Sequence, residues 1–321
     1  MDALCRKMIG FGLTVLLALI PLGCLQASSG SEFSKSPGAD ENFVAGENGI
    51  RFLPAELRFM EKLATGQAPE AAAPAFAAIA DFSQQLKTQG VEVLVLPVPP
   101  KALNQASALG VSEEDQARLR DQWSALLANL KTQGVRVVDV EALTKPLADQ
   151  EAMYCRRDTH WSGRGVVAAA TALAEPIQAL GLAQPPETNP TEENWKQVQI
   201  QGDLGGEGES VELMERSEPV GENRESPLLL LGDSHVLVFH AGADMHAAGA
   251  GLPEHLGRLT GVEPDVLGVR GSGADSARVA LARRARGNPD YLKGKKVIVW
   301  CFAGREITES DGWKLIPILR P

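Results

Sequence analysis

The chain has 321 residues, 44% of them hydrophobic and 22% charged, which suits a globular protein of one large domain or two small ones. Its net charge of -10 excludes nucleic acid as a natural partner, because phosphate binding needs a basic surface. An acidic surface also repels polyanions in general, so a negatively charged polymer would need local guides such as Arg156 and Arg157.

Residues 1–27 read as an export signal. Arg6 and Lys7 supply positive charge, and residues 9–22 form an apolar stretch broken by Gly10, Gly12 and Pro21. That stretch is shorter than the ~18 apolar residues of a membrane span. Cleavage after Ala27, lipidation of Cys24 in Leu22-Gly23-Cys24, and retention as a signal anchor are the outcomes it allows. Residues 28–47, rich in Ser, Gly, Asp and Glu, read as a flexible tether. One domain is expected over residues 48–321.

Two segments nearly repeat. Leu86-Lys87-Thr88-Gln89-Gly90-Val91 precedes the apolar run 92–96, and Leu130-Lys131-Thr132-Gln133-Gly134-Val135 precedes the run 136–140. Each predicts a helix end, a glycine cap and a strand. The helices are expected over residues 71–88, with Pro74 in the first turn, and over 113–132. A helix followed by a buried strand, twice over, implies parallel pairing with crossover helices. Further helices are expected at 165–180 and 276–286, and further strands at 228–231, within 262–269 and at 297–301. The polar, Gly-rich residues 185–222 read as a loop or small insertion. The whole is an α/β fold with a mainly parallel sheet, in which ligands gather past the strand C-termini.

Two short blocks sit there. Asp158-Thr159-His160-Trp161 supplies a carboxylate and an imidazole, and Gly232-Asp233-Ser234-His235 supplies a hydroxyl. Together these are the groups that activate an alcohol for acyl transfer. Asp158 and His160, two apart in an extended segment, project to one side; they are a catalytic acid and base or a salt-bridged loop pair. A metal set of Asp158, His160 and either His240 or His246 is the other reading, without a supporting spacing. Ser234 is a nucleophile at a strand-to-helix turn or a simple helix N-cap. His235 suits a substrate contact or a helix start. The turn Gly271-Ser272-Gly273 could add oxyanion N–H donors through Gly271 and Gly273, and Arg305 could contact substrate or form an ion pair. Cys155 and Cys301, each near a motif at the active-site end of the sheet, either pair or remain buried thiols.

In order and spacing these blocks resemble the alginate O-acetyltransferase (AlgJ/AlgX) family of SGNH-hydrolase-like proteins. The resemblance spans residues 43–306. It rests on Val44 to Leu53, Leu96-Pro97-Val98-Pro99-Pro100-Lys101, Tyr154 to Trp161, Gly202-Asp203-Leu204, Leu231 to Ser234, and Trp300 through Arg305-Glu306. It implies a three-layer α/β/α SGNH-like domain in permuted order, with the Asp/His block ahead of the serine block. Asp158, His160 and Ser234 then correspond to the family's acid, base and nucleophile. The surrounding Trp161, His235 and Arg305 become substrate or oxyanion residues. The implied activity is cofactor-free acetyl transfer to an exported polysaccharide in the periplasm, beside a membrane-bound O-acyltransferase that delivers the acetyl group. A carbohydrate acetylesterase and an inactive scaffold of an acetylation complex are the alternatives. The chain lacks a G-x-N-D block, which leaves the family's Asn oxyanion donor unassigned.

Overall fold

The computed structural model describes residues 42–141, 153–182, 194–215, 219–271, 274–310 and 312–318. The two expected glycine caps are present. Helices Ala73–Lys87 (α2) and Glu113–Thr132 (α3) end ahead of Gly90 and Gly134, whose φ values of 75° and 81° only glycine adopts without strain. Strands Glu92–Val98 (β3) and Arg136–Val137 (β4) follow. Ser112 caps α3 by accepting from the Asp115 N–H, and Glu113, Glu114 and Asp115 place negative charge on its first turn.

The central sheet has five strands in the order β4-β3-β9-β7-β8, where β7 is Leu228–Gly232, β8 is Asp265–Gly268 and β9 is Val297–Ala303. Every pairing in it is parallel. Each strand therefore presents its C-terminal end at the same edge.

Alternation along the strands divides the core into two. Val93, Val95, Leu229, Leu231, Ile298, Trp300 and Phe302 point to one face, where they meet α2, α3, the helix Ala274–Gly287 and the helix Pro54–Ala64 (α1). Leu94, Leu96, Leu228, Leu230, Val297, Val299 and Cys301 point to the other, against helices Gly163–Ala179 (α4) and Leu252–Thr260 (α5). Consecutive residues of a strand face opposite sides, so unbroken apolar runs such as Leu228 to Leu231 are what a sheet covered on both faces demands. The outcome is the expected three-layer arrangement.

Several expectations are corrected. Residues 185–222 take the insertion reading over the loop one: Trp195–Ile200 (β5) and Glu209–Met214 (β6) form an antiparallel hairpin. The strand expected at 136–140 pairs only at Arg136 and Val137. Ser234 begins a single 3-10 turn, Ser234–Val236, in place of a helix. Folded structure starts inside the expected tether, because Val44–Ala45 (β1) pairs with Arg51–Phe52 (β2). The export signal with Cys24, and residues 28–41 of the tether, lie outside the described residues. Among the described residues no helix is long and apolar enough to cross a membrane.

Candidate active site

Ser234 follows β7, the strand between β9 and β8. Gly232 closes that strand because no side chain fits: a Cβ there would stand 2.2 Å from the Cys301 carbonyl oxygen. Asp233 then caps the turn. Its Oδ1 accepts from the His235 N–H at 2.9 Å, and its Oδ2 accepts from the Ala303 N–H at 2.8 Å, tying the turn to the end of β9. The Ser234 N–H has no acceptor among the described residues, and it is free to meet a developing oxyanion.

Residues 153–162 form a tight loop before α4. Its ends are joined by a bridge between Tyr154 and Trp161 and by the Ser162 N–H donating to the Met153 carbonyl at 2.8 Å. The loop turns on Asp158, whose Oδ1 accepts both the His160 N–H at 2.8 Å and the ring Nδ1–H at 2.6 Å. With Nδ1 protonated, Nε2 is left to accept, and it lies 2.7 Å from Ser234 Oγ. Acid, imidazole and hydroxyl thus meet, although Ser234 is 74 positions from His160. Asp158 is fully buried, His160 is nearly so, and Ser234 is half-buried.

The loop is held from two sides. Beneath it, buried Lys101 donates from Nζ to the carbonyls of Arg156 and Asp158 at 2.9 and 3.0 Å. Above it, the tip of the β5–β6 hairpin docks. The Asp203 N–H donates to Asp158 Oδ2 at 3.0 Å, and the Asp203 carboxylate accepts from the Thr159 N–H and hydroxyl at 2.8 and 2.6 Å. Glu209 accepts the N–H groups of Arg156 and Arg157 at 2.8 and 2.7 Å. Of the two arginines expected as guides, Arg157 donates from its guanidinium to the Glu207 carbonyl, whereas Arg156 is exposed.

The electrostatics follow from this packing. Burial alone would raise the Asp158 pKa, but bonds from His160 and His246 more than offset it and hold the carboxyl well below the usual range. Burial likewise pulls the His160 imidazole down. The bond and charge of Asp158, with Asp203 and Asp233 further off, prevail and raise it above its usual value. Asp233, though buried, is held at about 2 by the charge and bonds of His235.

The remaining expected residues separate. His235 is buried in the 3-10 turn, with Nδ1 3.0 Å from Asp233 Oδ1. Trp161 is fully buried and packs edge-on to His235 with centroids 5.4 Å apart, so its expected substrate contact is replaced by a packing contact. Arg305 lies in the turn after β9, with Nη1 3.9 Å from Glu56 Oε1 and Nε 4.0 Å from Glu306 Oε1, an ion-pair setting. Gly271 is exposed in the turn after β8, and no hydrogen bond among the described residues joins it to Ser234; Gly273 lies outside the described residues. Cys155 and Cys301 are free and buried, which corrects the pairing. Burial pushes both thiols well up, and the charges of Asp158 and Asp233 add to this, so neither is reactive.

Sequence reasoning gave Lys101 and Asp203 no role, although both stand in the quoted Pro-x-Pro-x-Lys and Gly-Asp-Leu blocks. His246 has no local partner pattern in the sequence, which offers it a role only in the unsupported metal set. In the structure His246 Nε2 lies 2.8 Å from Asp158 Oδ2. Donor atoms of Asp158, His160 and His246 do fall within 4.8 Å of one another. Here the carboxylate accepts two hydrogen bonds on each oxygen, so the three groups are joined as a hydrogen-bond hub.

Residues 57–227, more than half of the chain, match the model of the SGNH hydrolase-like domain of acetyltransferase AlgX. The chain belongs to this family. A stretch of 115 residues, 36% of the chain, is 27% identical to the probable alginate O-acetylase AlgJ of Pseudomonas aeruginosa, of which it covers 29%. The match therefore spans under a third of that relative's length. Two solved structures share the fold. The O-acetyltransferase domain of Pseudomonas putida AlgJ aligns with a TM-score of 0.59 and 19% identity, over 83% of this chain and 92% of that one. Pseudomonas aeruginosa AlgX aligns with a TM-score of 0.54 and 17% identity, over 84% and 66%. Strand β7, which leads to Ser234, and the closing strand β9 lie beyond the family match and within the same sheet as β3.

Proposed function

We propose that this chain is an exported, serine-dependent O-acetyltransferase that acts on a polysaccharide through an acetyl-serine intermediate. The observation that carries the reading is the continuous hydrogen-bond chain from Ser234 Oγ through His160 to Asp158, at 2.7 and 2.6 Å. Membership of the acetyltransferase family and the likeness to one probable alginate O-acetylase support it.

His160 Nε2 takes the hydroxyl proton as Ser234 Oγ attacks the carbonyl carbon of an acetyl ester. Asp158 stabilises the imidazolium that forms, and the Ser234 N–H faces the oxyanion. Collapse breaks the bond to the donor's alkoxide, which leaves with the proton from His160. A sugar hydroxyl then gives its proton to His160 and attacks the acetyl-serine, which restores Ser234 and yields the acetylated sugar. A membrane-bound O-acyltransferase is the proposed source of the donor, and the positively charged, apolar residues 1–27 are the proposed export signal. If water replaces the sugar, the same steps describe an esterase.

Incubation of the purified protein with an acetyl ester, with and without oligosaccharide acceptors, separates these. Transfer predicts acetylated oligosaccharide at the expense of free acetate. Acetate release that acceptors do not change would establish the esterase instead. An acyl probe should label the wild type and not Ser234→Ala; no labelling of folded wild type would leave only a scaffold.

A further inference from the structure

We infer that His246 is a positioning residue for the acid, extending the relay to Ser234, His160, Asp158 and His246; this rests on the catalytic reading above. The bond from Nε2 to Asp158 Oδ2 is 2.8 Å long, and its partners are 8% and 0% exposed in their side chains. His160 uses Oδ1 of the same carboxylate. A carboxylate gripped on one oxygen can still swing about its Cβ–Cγ bond, whereas one gripped on both presents Oδ1 to His160 at a fixed angle. The only other donor to Oδ2 among the described residues is the Asp203 N–H, which comes from a hairpin tip.

The chain goes to some length to deliver this imidazole. Four non-glycine residues in the described chain have positive φ, and three of them, Phe239 (58°), Ala243 (49°) and His246 (72°), lie within the eight residues that end at His246. Such conformations are costly and persist only where the surroundings over-determine them. Here they do. The Phe239 N–H donates to the Met245 carbonyl, Gly242 to Ala247 and Ala250 to Phe239, at 2.9, 2.8 and 2.9 Å. Arg270, just past β8, pairs with Asp244 at 2.8 Å and pins the same segment. The charged and titratable groups around His246 are Asp158, with His160 and Asp203 bound to it, and the Asp244–Arg270 pair; the Phe239 ring lies 6.0 Å away.

The test uses the purified full chain, p-nitrophenyl acetate as substrate, and the variants His246→Leu and His246→Gln. Both fill the site, but only glutamine can donate to Oδ2. The leucine variant is expected to lose about 10- to 100-fold in kcat, the usual cost of a lost supporting bond or a misplaced group, with KM unchanged. The acid limb of its pH profile should move to higher pH, because a carboxylate that has lost a donor holds the His160 proton more tightly. Glutamine should recover most of kcat and the wild-type limb. A leucine variant with wild-type kcat and profile, a glutamine variant no better than leucine, or loss of wild-type activity on chelation would each overturn the inference. Should the leucine variant fail to fold, ring-15N NMR of the wild type decides: a proton on Nε2 of His246 supports the bond, and a proton on Nδ1 alone overturns it. Wild type that turns over no ester would remove the catalytic reading itself; active wild type with indifferent His246 variants would remove this inference only.

Discussion

His160 is pulled two ways, and its ionisation sets both activity and stability. Burial favours the neutral ring, whereas Asp158, Asp203 and Asp233 favour the charged one and prevail, so its pKa stands above the usual imidazole value of about 6.5. Catalysis needs the neutral ring to accept the serine proton. Acetyl-ester turnover should therefore fall as pH drops through a value above about 6.5. Stability runs in the opposite sense: the pair's contribution is fully present below the unfolded-state value and is lost as pH rises through the raised folded value. Asp158→Asn removes the dominant raising influence and leaves burial. The acid limb of kcat should shift to lower pH, while its plateau falls about 10⁴-fold as the tautomer is lost. A pH series of initial rates on the two proteins checks both directions, and an acid limb that moves upward would contradict the account.

At the scale of elements, the β5–β6 hairpin is the part that completes the site. Gly202 at its tip has no room for a side chain, since a Cβ would stand 2.1 Å from the Arg157 carbonyl oxygen and 3.1 Å from the Asp158 nitrogen. Gly202→Ala should lift the tip off the loop, breaking the Asp203 bonds to Asp158 and Thr159. The expected cost is about 1–3 kcal/mol of stability and a fall in kcat larger than the fraction unfolded accounts for, read by urea denaturation beside ester turnover. Equal losses would reduce the tip to a packing element. This hairpin was also the element least legible in the sequence. Trp195–Ile200 buries only Ile200, so its alternation is weak, and Glu209–Met214, which buries Val211, Leu213 and Met214, offers a single short run beside a Gly-rich turn. By contrast β3, β7 and β9 are buried on both faces and read as unbroken apolar runs, and Gly90 and Gly134 mark the turns that feed β3 and β4. The site was legible as far as its local chemistry reached. Asp158 and His160 bond to each other across two positions, and Gly232 through Ser234 encode a turn. Lys101, Asp203 and His246 touch the same loop from distant segments, and only the fold brings those contacts about.

For the molecule as a whole, the parallel sheet separates two poles. Ser234, Lys101 and Arg305 follow the C-terminal ends of their strands. At the other edge, about 20 Å away for a seven-residue strand, a second buried ionic cluster joins the strands' beginnings. Asp265, the first residue of β8, accepts at Oδ2 from Lys295 Nζ at 2.9 Å and from the Tyr291 hydroxyl, and at Oδ1 from Arg284 at 3.2 Å. Lys295 also donates to the carbonyls of Arg224 and Ser226 at 2.7 and 2.8 Å. Lys295 and Asp265 are 1% and 2% exposed in their side chains. Removing one member of such a pair strands the other charge in the interior, which costs roughly 3–5 kcal/mol. Lys295→Met fills a similar volume without the charge, leaves the Asp265 carboxylate with Arg284 as its one remaining cation among the described residues, and removes the donor to the Arg224 and Ser226 carbonyls, the second of them buried. It should lower the urea midpoint accordingly. The triad stands on the opposite edge with hydrogen bonds of its own, so kcat for an acetyl ester should hold at temperatures where the variant is folded. A variant as stable as the wild type would remove the cluster's contribution to stability, and a folded one that has lost turnover would show that the two poles are not independent.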